Sequence, residues 1–336
     1  MPRPGETLAL KGGQLFVHLR EYEDMGKEAV QQLDEMLRIK PESSDVKNTR
    51  SIFAAWSRHP DQSFQNASSS MINAAVHKDG VTLPVSIHGK TVRWLLDTGF
   101  NFSAMSASEA RSLRVAIDES SGRVGDSAGG TTNTRTAVVD ELAIGDVRLR
   151  RAAFLILPDA QEPMSDWQPG ERGIIGLPIA IALQPISWNS DGTFKIRPGA
   201  DRSAETTKNL CFDGFYPVAR VEFEGKELDF IFDTGEQSGS QLWTRFGDDF
   251  ATLLKQRGAK SREQVTMVGG SNQRETIALP EVQLRVGGLD TILRPAQVFF
   301  KPVGDAFHHG LLGMDMLSQA REVRIDFVSM TLELTP

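Results

Sequence analysis

The chain is poor in the residues that build disulfide frameworks, zinc sites and nucleic-acid-binding surfaces. Its 336 residues include one cysteine, Cys211, which excludes an internal disulfide and a multi-cysteine zinc site. Acidic residues outnumber basic ones by 44 to 37, so the clustered basic surface that contacts nucleic acid is not expected. The length still suffices for two or three domains with substantial cores.

Long hydrophobic runs are also missing. The first twenty residues, MPRPGETLALKGGQLFVHLR, lack the continuous apolar core and the small-residue cleavage site of a secretory signal. The most apolar later stretch, GIIGLPIAIALQPI (173–186), is too short for a membrane helix and contains glycine and proline. The sequence therefore predicts no membrane span, and it leaves the compartment open.

The tripeptide Asp-Thr-Gly occurs twice, each time directly after an apolar run. The preceding segments, LPVSIHGKTVRWLL (83–96) and YPVARVEFEGKELDFIF (216–232), share Pro-Val, alternating residues and a Gly-Lys turn. Alternation around such a turn predicts a β-hairpin whose second strand enters a core.

Three further features follow each copy in the same order: a glycine pair in a polar stretch, an apolar segment between glycines, and a closing pair of strands. The first glycine of the apolar segment follows the aspartate by 76 residues in one copy and by 77 in the other. The matched order and spacing predict two homologous β-rich units. The glycine pairs are Gly129–Gly130 and Gly269–Gly270, the apolar segments begin at Gly173 and Gly310, and the closing strands lie at 186–196 and 325–334.

Composition places boundaries around these units. The segment RPGADRSAETTKN (197–209) is rich in Pro, Gly and polar residues, as a linker is. We therefore predict a first unit over 79–197, a linker over 198–212 and a second unit over 213–336.

Residues 1–78 differ in kind and predict a helical N-terminal extension with two short helices. Three interpretations are open for it: a tetratricopeptide-type unit that contacts another protein, a prosegment that fills a cleft, or an appendage packed on the first unit. We prefer the appendage, because one helical pair cannot make a stable solenoid and the balanced charge gives a prosegment no support. The predicted apolar faces are Val30, Leu33, Met36 and Leu37 before Pro41, and Ile52, Phe53 and Trp56 before Pro60.

Asp97 and Asp233 each leave a buried strand and enter a turn that contains glycine. If the two units pack about a pseudo-twofold axis, the turns meet, and two close carboxylates then share a proton. Such a pair can act on water, one member taking its proton while the protonated member polarises a carbonyl. The supporting residues are Thr98 and Thr234, whose hydroxyls can bond across the axis, and Gly99 and Gly235, which let the turns bend tightly.

These paired motifs resemble the aspartic peptidases, the pepsin-like and retropepsin-like group, over about residues 80 to 336. The matching elements are the apolar run before each Asp-Thr-Gly, the later glycine pair, and the segments IIG (174–176) and LLG (311–313). The resemblance is nearest to a tandem, two-lobed, bacterial-type retropepsin-like protein. It implies a mostly β, bilobal fold of two β-barrel-like lobes, with the helical extension added.

The same resemblance implies an aspartic endopeptidase with Asp97 and Asp233 as the catalytic residues. The flaps that bind substrate would lie around Gly129–Gly130 and Gly269–Gly270. A peptide or protein would be the substrate, with no metal and no cofactor, and a monomer would hold the complete site. A secreted or periplasmic setting is implied by the family alone. The alternative is the same fold as an inactive or repurposed peptide-binding protein.

The sequence departs from the family pattern beside both aspartates. Many members have Ser, Thr or Ala after Asp-Thr-Gly, whereas this chain has Phe100 and Glu236. Neither residue has a hydroxyl to stabilise the charged form, and Glu236 adds negative charge nearby. We therefore predict pKa values for the pair that are higher than in pepsin, and a mildly acidic activity optimum. Ser103 is the sixth residue past Asp97, but Gly239 is at the corresponding place in the second copy and Ser240 follows it. Neither flap contains a tyrosine.

Two smaller features have simple expected explanations. His308 and His309 have no further metal ligands at a recognisable spacing, so we expect a solvated loop rather than a metal site. Cys211 is expected to be a packed, small apolar residue rather than a nucleophile.

Overall fold

The computed structural model describes residues 25–60, 62–65, 69–125, 131–197, 208–214, 216–237, 239–267, 270–300, 303, 305 and 307–336. Within these ranges no helix has the length and apolar composition needed to span a membrane. Residues 198–207 of the predicted linker lie outside them, as do Gly129, Gly130 and Gly269, whereas residues 208–212 are described.

Strands form most of the described chain. The helices are α1 (Met25–Ile39), α2 (Ser44–Trp56), α3 (Ala107–Ser112), α4 (Leu177–Leu183), α5 (Thr244–Asp249), α6 (Ala251–Arg257) and α7 (Met314–Leu317). The strands are β1 (Ser63–Gln65), β2 (Ser70–Asn73), β3 (Ala75–His77), β4 (Gly80–Ile87), β5 (Lys90–Asp97), β6 (Ser103–Ser106), β7 (Ile117–Gly125), β8 (Thr131–Ile144), β9 (Val147–Leu157), β10 (Gly173–Gly176), β11 (Ile186–Asn189), β12 (Thr193–Ile196), β13 (Leu210–Asp213), β14 (Tyr216–Phe223), β15 (Lys226–Phe232), β16 (Gln241–Leu242), β17 (Ala259–Met267), β18 (Gly270–Leu279), β19 (Val282–Val286), β20 (Leu289–Leu293), β21 (Ala296–Phe299), β22 (Gly310–Leu312), β23 (Glu322–Asp326) and β24 (Thr331–Thr335).

The helices α1 and α2 pack against each other at the start of the described chain. Ala29 and Leu33 are buried on α1, and Ile52 is buried on α2. The N-terminus of α2 is capped by the Ser43 hydroxyl, which accepts a hydrogen bond from the Val46 N–H at 3.4 Å.

The strand before each Asp-Thr-Gly belongs to a tight hairpin, β4–β5 in the first case and β14–β15 in the second. The turns are His88–Gly89, with φ of 49° and 77°, and Glu224–Gly225, with φ of 49° and 75°. Positive φ at both central residues defines the turn type that matches the twist of paired strands.

The register of these hairpins corrects one feature of the sequence comparison. Val85 lies opposite Val92, whereas Val218 lies opposite Ile231, three residues nearer to the aspartate. The two Pro-Val dipeptides are therefore not equivalent positions. The turn fixes the register of a hairpin, so the Gly-Lys turns, and not the Pro-Val pairs, align the two copies.

The two large sheets repeat one pattern of neighbours. In the first, β5 runs parallel to β10, β10 antiparallel to β6, and β6 parallel to β9. In the second, β15, β22, β16 and β21 follow the same order and the same directions. A hairpin of long strands continues each sheet, β7–β8 in the first and β17–β18 in the second.

A further sheet joins the two parts of the chain, in the order β2-β12-β11-β23-β24. The sequence predicts that 186–196 and 325–334 close separate units, but β11 pairs with β23 along Ile186↔Ile325 and Trp188↔Val323. Trp188 stacks on Phe194 at 6.2 Å with nearly parallel rings, and both side chains are buried. The closing strands of both copies therefore pair in one shared sheet.

Candidate active site

The two Asp-Thr-Gly turns meet between the large sheets. Each aspartate stands at the end of the second strand of its hairpin: Asp97 is the last residue of β5, and Asp233 directly follows β15. A parallel neighbour supports each strand: Gly176 of β10 lies beside Asp97, and Leu312 of β22 lies beside Phe232. Parallel strands buried on both sides fix the position of each turn, because the whole ladder would have to shift to move it.

Reciprocal threonine hydrogen bonds connect the turns. The Thr98 hydroxyl donates to the Phe232 carbonyl at 3.0 Å and accepts from the Thr234 N–H at 3.1 Å. The Thr234 hydroxyl donates to the Leu96 carbonyl at 2.8 Å and accepts from the Thr98 N–H at 3.1 Å. Both threonines are fully buried, so these four bonds satisfy groups that water cannot reach.

Each aspartate lies against the glycine of the opposite turn. A Cβ atom added at Gly99 would collide with the Asp233 carboxyl, and one added at Gly235 would collide with that of Asp97. Glycine is thus required at both positions by close approach of the two turns. Backbone donors orient the carboxyls: the Phe100 N–H bonds Asp97 Oδ1, and the Gly235 N–H bonds Asp233 Oδ1, both at 2.8 Å.

Burial raises the pKa values of both carboxyl groups. The pKa of Asp97 is raised well above its ordinary value by burial, and further by the neighbouring Asp233 carboxyl. Burial also raises the pKa of Asp233, although the Gly235 N–H favours its charged form. Two close carboxyls whose pKa values are both raised can share one proton.

A serine beneath each turn fixes the strand that supports it. The Gly176 N–H donates to Ser103 Oγ at 3.1 Å, and the Gly313 N–H donates to Ser240 Oγ at 2.8 Å. Ser240 thus does in the second turn what Ser103 does in the first, although it comes one residue later. Gly239 accommodates the extra residue with a φ of 100°.

Asp315 is a member of this arrangement that the sequence did not reveal. Its Oδ1 accepts hydrogen bonds from the Ser240 N–H at 2.9 Å and the Ser240 hydroxyl at 2.6 Å. The serine hydroxyl therefore points its lone pairs at the Gly313 N–H. No sequence motif marks Asp315, since it follows LLG as an isolated aspartate in a short helix.

The predicted flaps correspond to the two long hairpins. Gly129 and Gly130 fall between β7 and β8, outside the described residues, and Gly269 is outside them as well. Gly270 is described and begins β18, where it pairs with Met267. Both hairpins are antiparallel, and the first contains an irregularity between Asp118 and Ser121.

The expectation of a solvated loop at His308 and His309 is wrong. Both side chains are buried, at 6% and 2% exposed. His308 bonds Asp305 at 2.6 Å through Nδ1, and its Nε2 lies 3.5 Å from Asp213. His309 accepts the Asp229 N–H at Nδ1 and bonds Asp249 at Nε2, both at 3.1 Å. Carboxylates partner these rings, so the loop is anchored rather than solvated.

The expectation for Cys211 is wrong too, since its side chain is exposed on β13. Strand alternation explains the error, because Leu210 takes the inward position and Cys211 the outward one. In the part of the chain that the structure describes, no group of three or more His, Cys, Asp or Glu side chains could hold a metal ion.

Residues 83–179 match the model of a family described as aspartyl protease. The matched segment runs from β4 into α4 and contains Asp97 with its complete turn. The match supports an aspartyl protease family and, with it, a hydrolase of the peptidase class.

No curated protein matches the chain. Among solved structures, the chain is similar to the crystal structure of Basic 7S globulin from soybean, with 11% sequence identity and a TM-score of 0.49. The similarity covers 80% of this chain and 95% of that chain.

Proposed function

We propose that the protein is an aspartic endopeptidase that hydrolyses peptide bonds with water activated by Asp97 and Asp233. The observation that carries the proposal is the carboxyl pair itself, two aspartates at the ends of buried strands, each of which lies against the glycine of the opposite turn. The aspartyl protease match over the first of them supports the same conclusion. Each threonine makes hydrogen bonds to the opposite turn and each glycine contacts the opposite carboxyl, so both copies need the full Asp-Thr-Gly sequence.

The pKa values of the two aspartates assign one as the general base and the other as the general acid. Asp233, whose pKa is raised less, is the ionised base that removes a proton from water. Asp97, protonated, donates a hydrogen bond to the carbonyl oxygen of the scissile bond. Water attacks the carbonyl carbon to give a gem-diol. Its collapse breaks the C–N bond as a proton passes to the leaving nitrogen, without a covalent enzyme intermediate.

We propose a bilobal architecture for this chemistry, on the predicted bounds of lobes at 79–197 and 213–336, a linker over 198–212 and a helical extension over 1–78. The structure moves two of these bounds: residues 63–65, 70–73 and 75–77 of the extension are the strands β1, β2 and β3, which pair with β9, β12 and β4, and residues 210–212 of the linker belong to β13. The repeated order of strands in the two large sheets supports two homologous lobes. The substrate, an extended peptide or protein segment, would lie in the cleft above the carboxyl pair. The hairpins that contain Gly129–Gly130 and Gly269–Gly270 would cover it as flaps and exclude water.

Both carboxyls belong to one chain, so a monomer would hold a complete site. The alternative function is peptide binding on the same fold without cleavage. Phe100 and Glu236 favour this alternative, because they place a bulky ring and an additional acid beside the two catalytic candidates. The two functions make opposite predictions for one experiment.

That experiment is cleavage of casein, an unstructured protein, across pH 3 to 8. The native chain is compared with Asp97→Asn and Asp233→Asn, with and without the transition-state mimic pepstatin. We expect a maximum at mildly acidic pH and a loss of at least about a thousandfold in each variant, since each removes one partner of the proton transfer. Circular dichroism shows that the variants are folded.

Absence of cleavage by the native chain at every pH would contradict the endopeptidase and favour the binding protein. A maximum at strongly acidic pH would contradict the raised pKa values instead. Activity that persists in either folded variant would remove that aspartate from the mechanism.

A further inference from the structure

Helix α2 lies along the outer strand of the first long hairpin. Asn48 contacts Arg123 through both ends of its carboxamide: its Nδ2–H donates to the Arg123 carbonyl, and its Oδ1 accepts from the Arg123 N–H. The side chain thus pairs with β7 as another strand would. Strand β7 is at the edge of its sheet, next to β8, so Asn48 fills an otherwise open side of the hairpin.

Two more contacts fix α2 to the same strand. Ile52 is buried over Gly122, so closely that a Cβ there would lie 2.6 Å from Ile52 Cγ1. Arg58, just past the end of α2, forms an ion pair with Asp118. The contacts span β7 from its beginning to Arg123, so the helix holds the strand at several points.

Another side of α2 contacts the loop that follows Asp97. Phe53 and Trp56 pack on the Phe102 ring, with centroid distances of 6.1 and 5.2 Å, and on each other at 5.6 Å. Phe102 is two residues past Phe100, whose N–H bonds the Asp97 carboxyl. One helix therefore joins the outer strand of the hairpin to the loop that orients an aspartate.

We propose that α2 is a clamp that positions the first flap over the carboxyl pair, and that Asn48 is its positioning residue. The proposal rests on the proposed function for the flap's contact with substrate. A two-stranded hairpin that projects from a sheet is only marginally stable, so a third element along its edge restricts its motion. A flap that is already ordered loses less entropy when it closes on a peptide, so the clamp favours substrate binding.

Hydrogen exchange on the full-length chain tests the clamp without any need for activity. In Asn48→Leu, which keeps the size but not the hydrogen bonds, amides of β7 and β8 should exchange at least about tenfold faster, as loss of two bonds worth roughly 1 kcal/mol each implies. Asn48→Asp keeps the acceptor for the Arg123 N–H and should give an intermediate rate.

Asn209→Leu is the matched control. The Asn209 carboxamide bonds the N–H and carbonyl of Leu332 on the edge strand β24, at 2.8 and 2.9 Å, in the same two-bond arrangement. This variant should accelerate exchange in β24 and leave β7 unchanged. Unchanged exchange of β7 in Asn48→Leu, or equal acceleration in β7 and β24, would overturn the clamp.

Peptide cleavage supplies the functional measurement. The KM of Asn48→Leu should rise about fivefold or more with kcat within twofold, while Asn209→Leu keeps the native KM. Faster exchange of β7 with an unchanged KM would contradict the role in substrate binding. If the native chain cleaves nothing, the exchange result still decides the clamp, and only the proposed function fails.

Discussion

Asp97 and Asp233 accept hydrogen bonds from different positions of their turns, although their tripeptides are identical. The donor to Asp97 is the Phe100 N–H, and the donor to Asp233 is the Gly235 N–H. Burial raises the pKa of both carboxyls, and the neighbouring Asp233 carboxyl raises that of Asp97 further. The same pair of motifs thus gives two chemically distinct carboxyls.

The raised pKa of Asp97 makes a prediction about stability. A carboxyl whose pKa is higher in the folded state stabilises the protein while protonated, and this contribution is lost as pH rises through the folded pKa. Asp97→Asn has no such loss. Its melting temperature should exceed that of the native chain by about 3 °C or more at pH 7. This difference in melting temperature should become smaller towards pH 4.

Asp191→Asn is the control of opposite sign. Hydrogen bonds from Thr193 lower the pKa of Asp191, so its ionised form stabilises the fold at neutral pH and loses that effect in acid. This variant should melt below the native chain at pH 7. An Asp97→Asn gap that is the same at pH 4 and pH 7 would contradict the assignment of the proton to Asp97.

The buried histidines give a second pH-dependent prediction. Burial lowers the pKa of His308, but the Asp305 hydrogen bond and the charges of Asp305, Asp213 and Asp229 outweigh it, so the net pKa is raised. The protonated ring therefore stabilises the fold below about pH 6.5, and the effect is lost as pH rises through the higher folded pKa. His308→Gln should lower the melting temperature more at pH 5.5 than at pH 8.5.

His309→Gln should show the reverse order. Burial lowers the pKa of His309 despite its contact with Asp249, so its neutral form is the stabilising one. Thermal melts of both variants at the two pH values make the comparison. If His308→Gln lowered the melting temperature equally at both pH values, the native His308 ring would not be the charged, stabilising group proposed here.

At the scale of elements, glycines have different roles in strands and in turns. In β10, Gly173 faces the Trp94 ring so closely that a Cβ would overlap it, and Trp94 is fully buried. In the turn after β4, Gly89 has a φ of 77° and open space where a Cβ would be. The first glycine is required by packing, the second by backbone conformation.

These glycines give a prediction in unfolding free energy. Gly173→Ala should cost about 2–3 kcal/mol, because the core must move to admit the methyl group. Gly89→Ala should cost about 1 kcal/mol, the strain of a positive φ alone. Chemical denaturation measures both. A smaller loss for Gly173→Ala than for Gly89→Ala would show that the Trp94 ring moves aside freely.

The sequence predicted the local parts of this structure because local signals determine them. A two-residue turn and alternating residues are enough to predict the β4–β5 and β14–β15 hairpins, and the repeated Asp-Thr-Gly identifies the candidate site. Contacts over long sequence distances left no such signal. The Asp315–Ser240 bond, the buried His308 and the Asn48–Arg123 pairing each depend on the packing of segments that are far apart in the chain.

The two large sheets are joined in two places, by the threonine bonds between the turns and by the sheet of β2, β12, β11, β23 and β24. The sequence suggested a boundary at 198–212, since the linker composition is a local feature. It gave no indication that β11 and β23 would pair, because strand pairing between distant segments depends on the assembled fold. The two large sheets are therefore linked by structure as well as by chain.

We expect these links to give one cooperative unfolding transition for the two large sheets. Thr98→Val and Thr234→Val should each lower that transition by a similar amount, about 2–4 kcal/mol, because each strands a buried N–H and a buried carbonyl. Calorimetry checks this by comparing the measured enthalpy with the van't Hoff enthalpy. Two separate unfolding transitions, or a variant that destabilises only one of them, would contradict the coupling of the two sheets.

Because both turns belong to one chain, the residues on the two sides of the carboxyl pair can differ. In an assembly of two identical chains, any residue placed after Asp-Thr-Gly would appear on both sides of the carboxyl pair. Here Phe100 and Glu236 differ, and Gly239 lengthens one loop while the other keeps its length. Each side of the carboxyl pair can thus acquire its own substitutions, which two identical chains could not do.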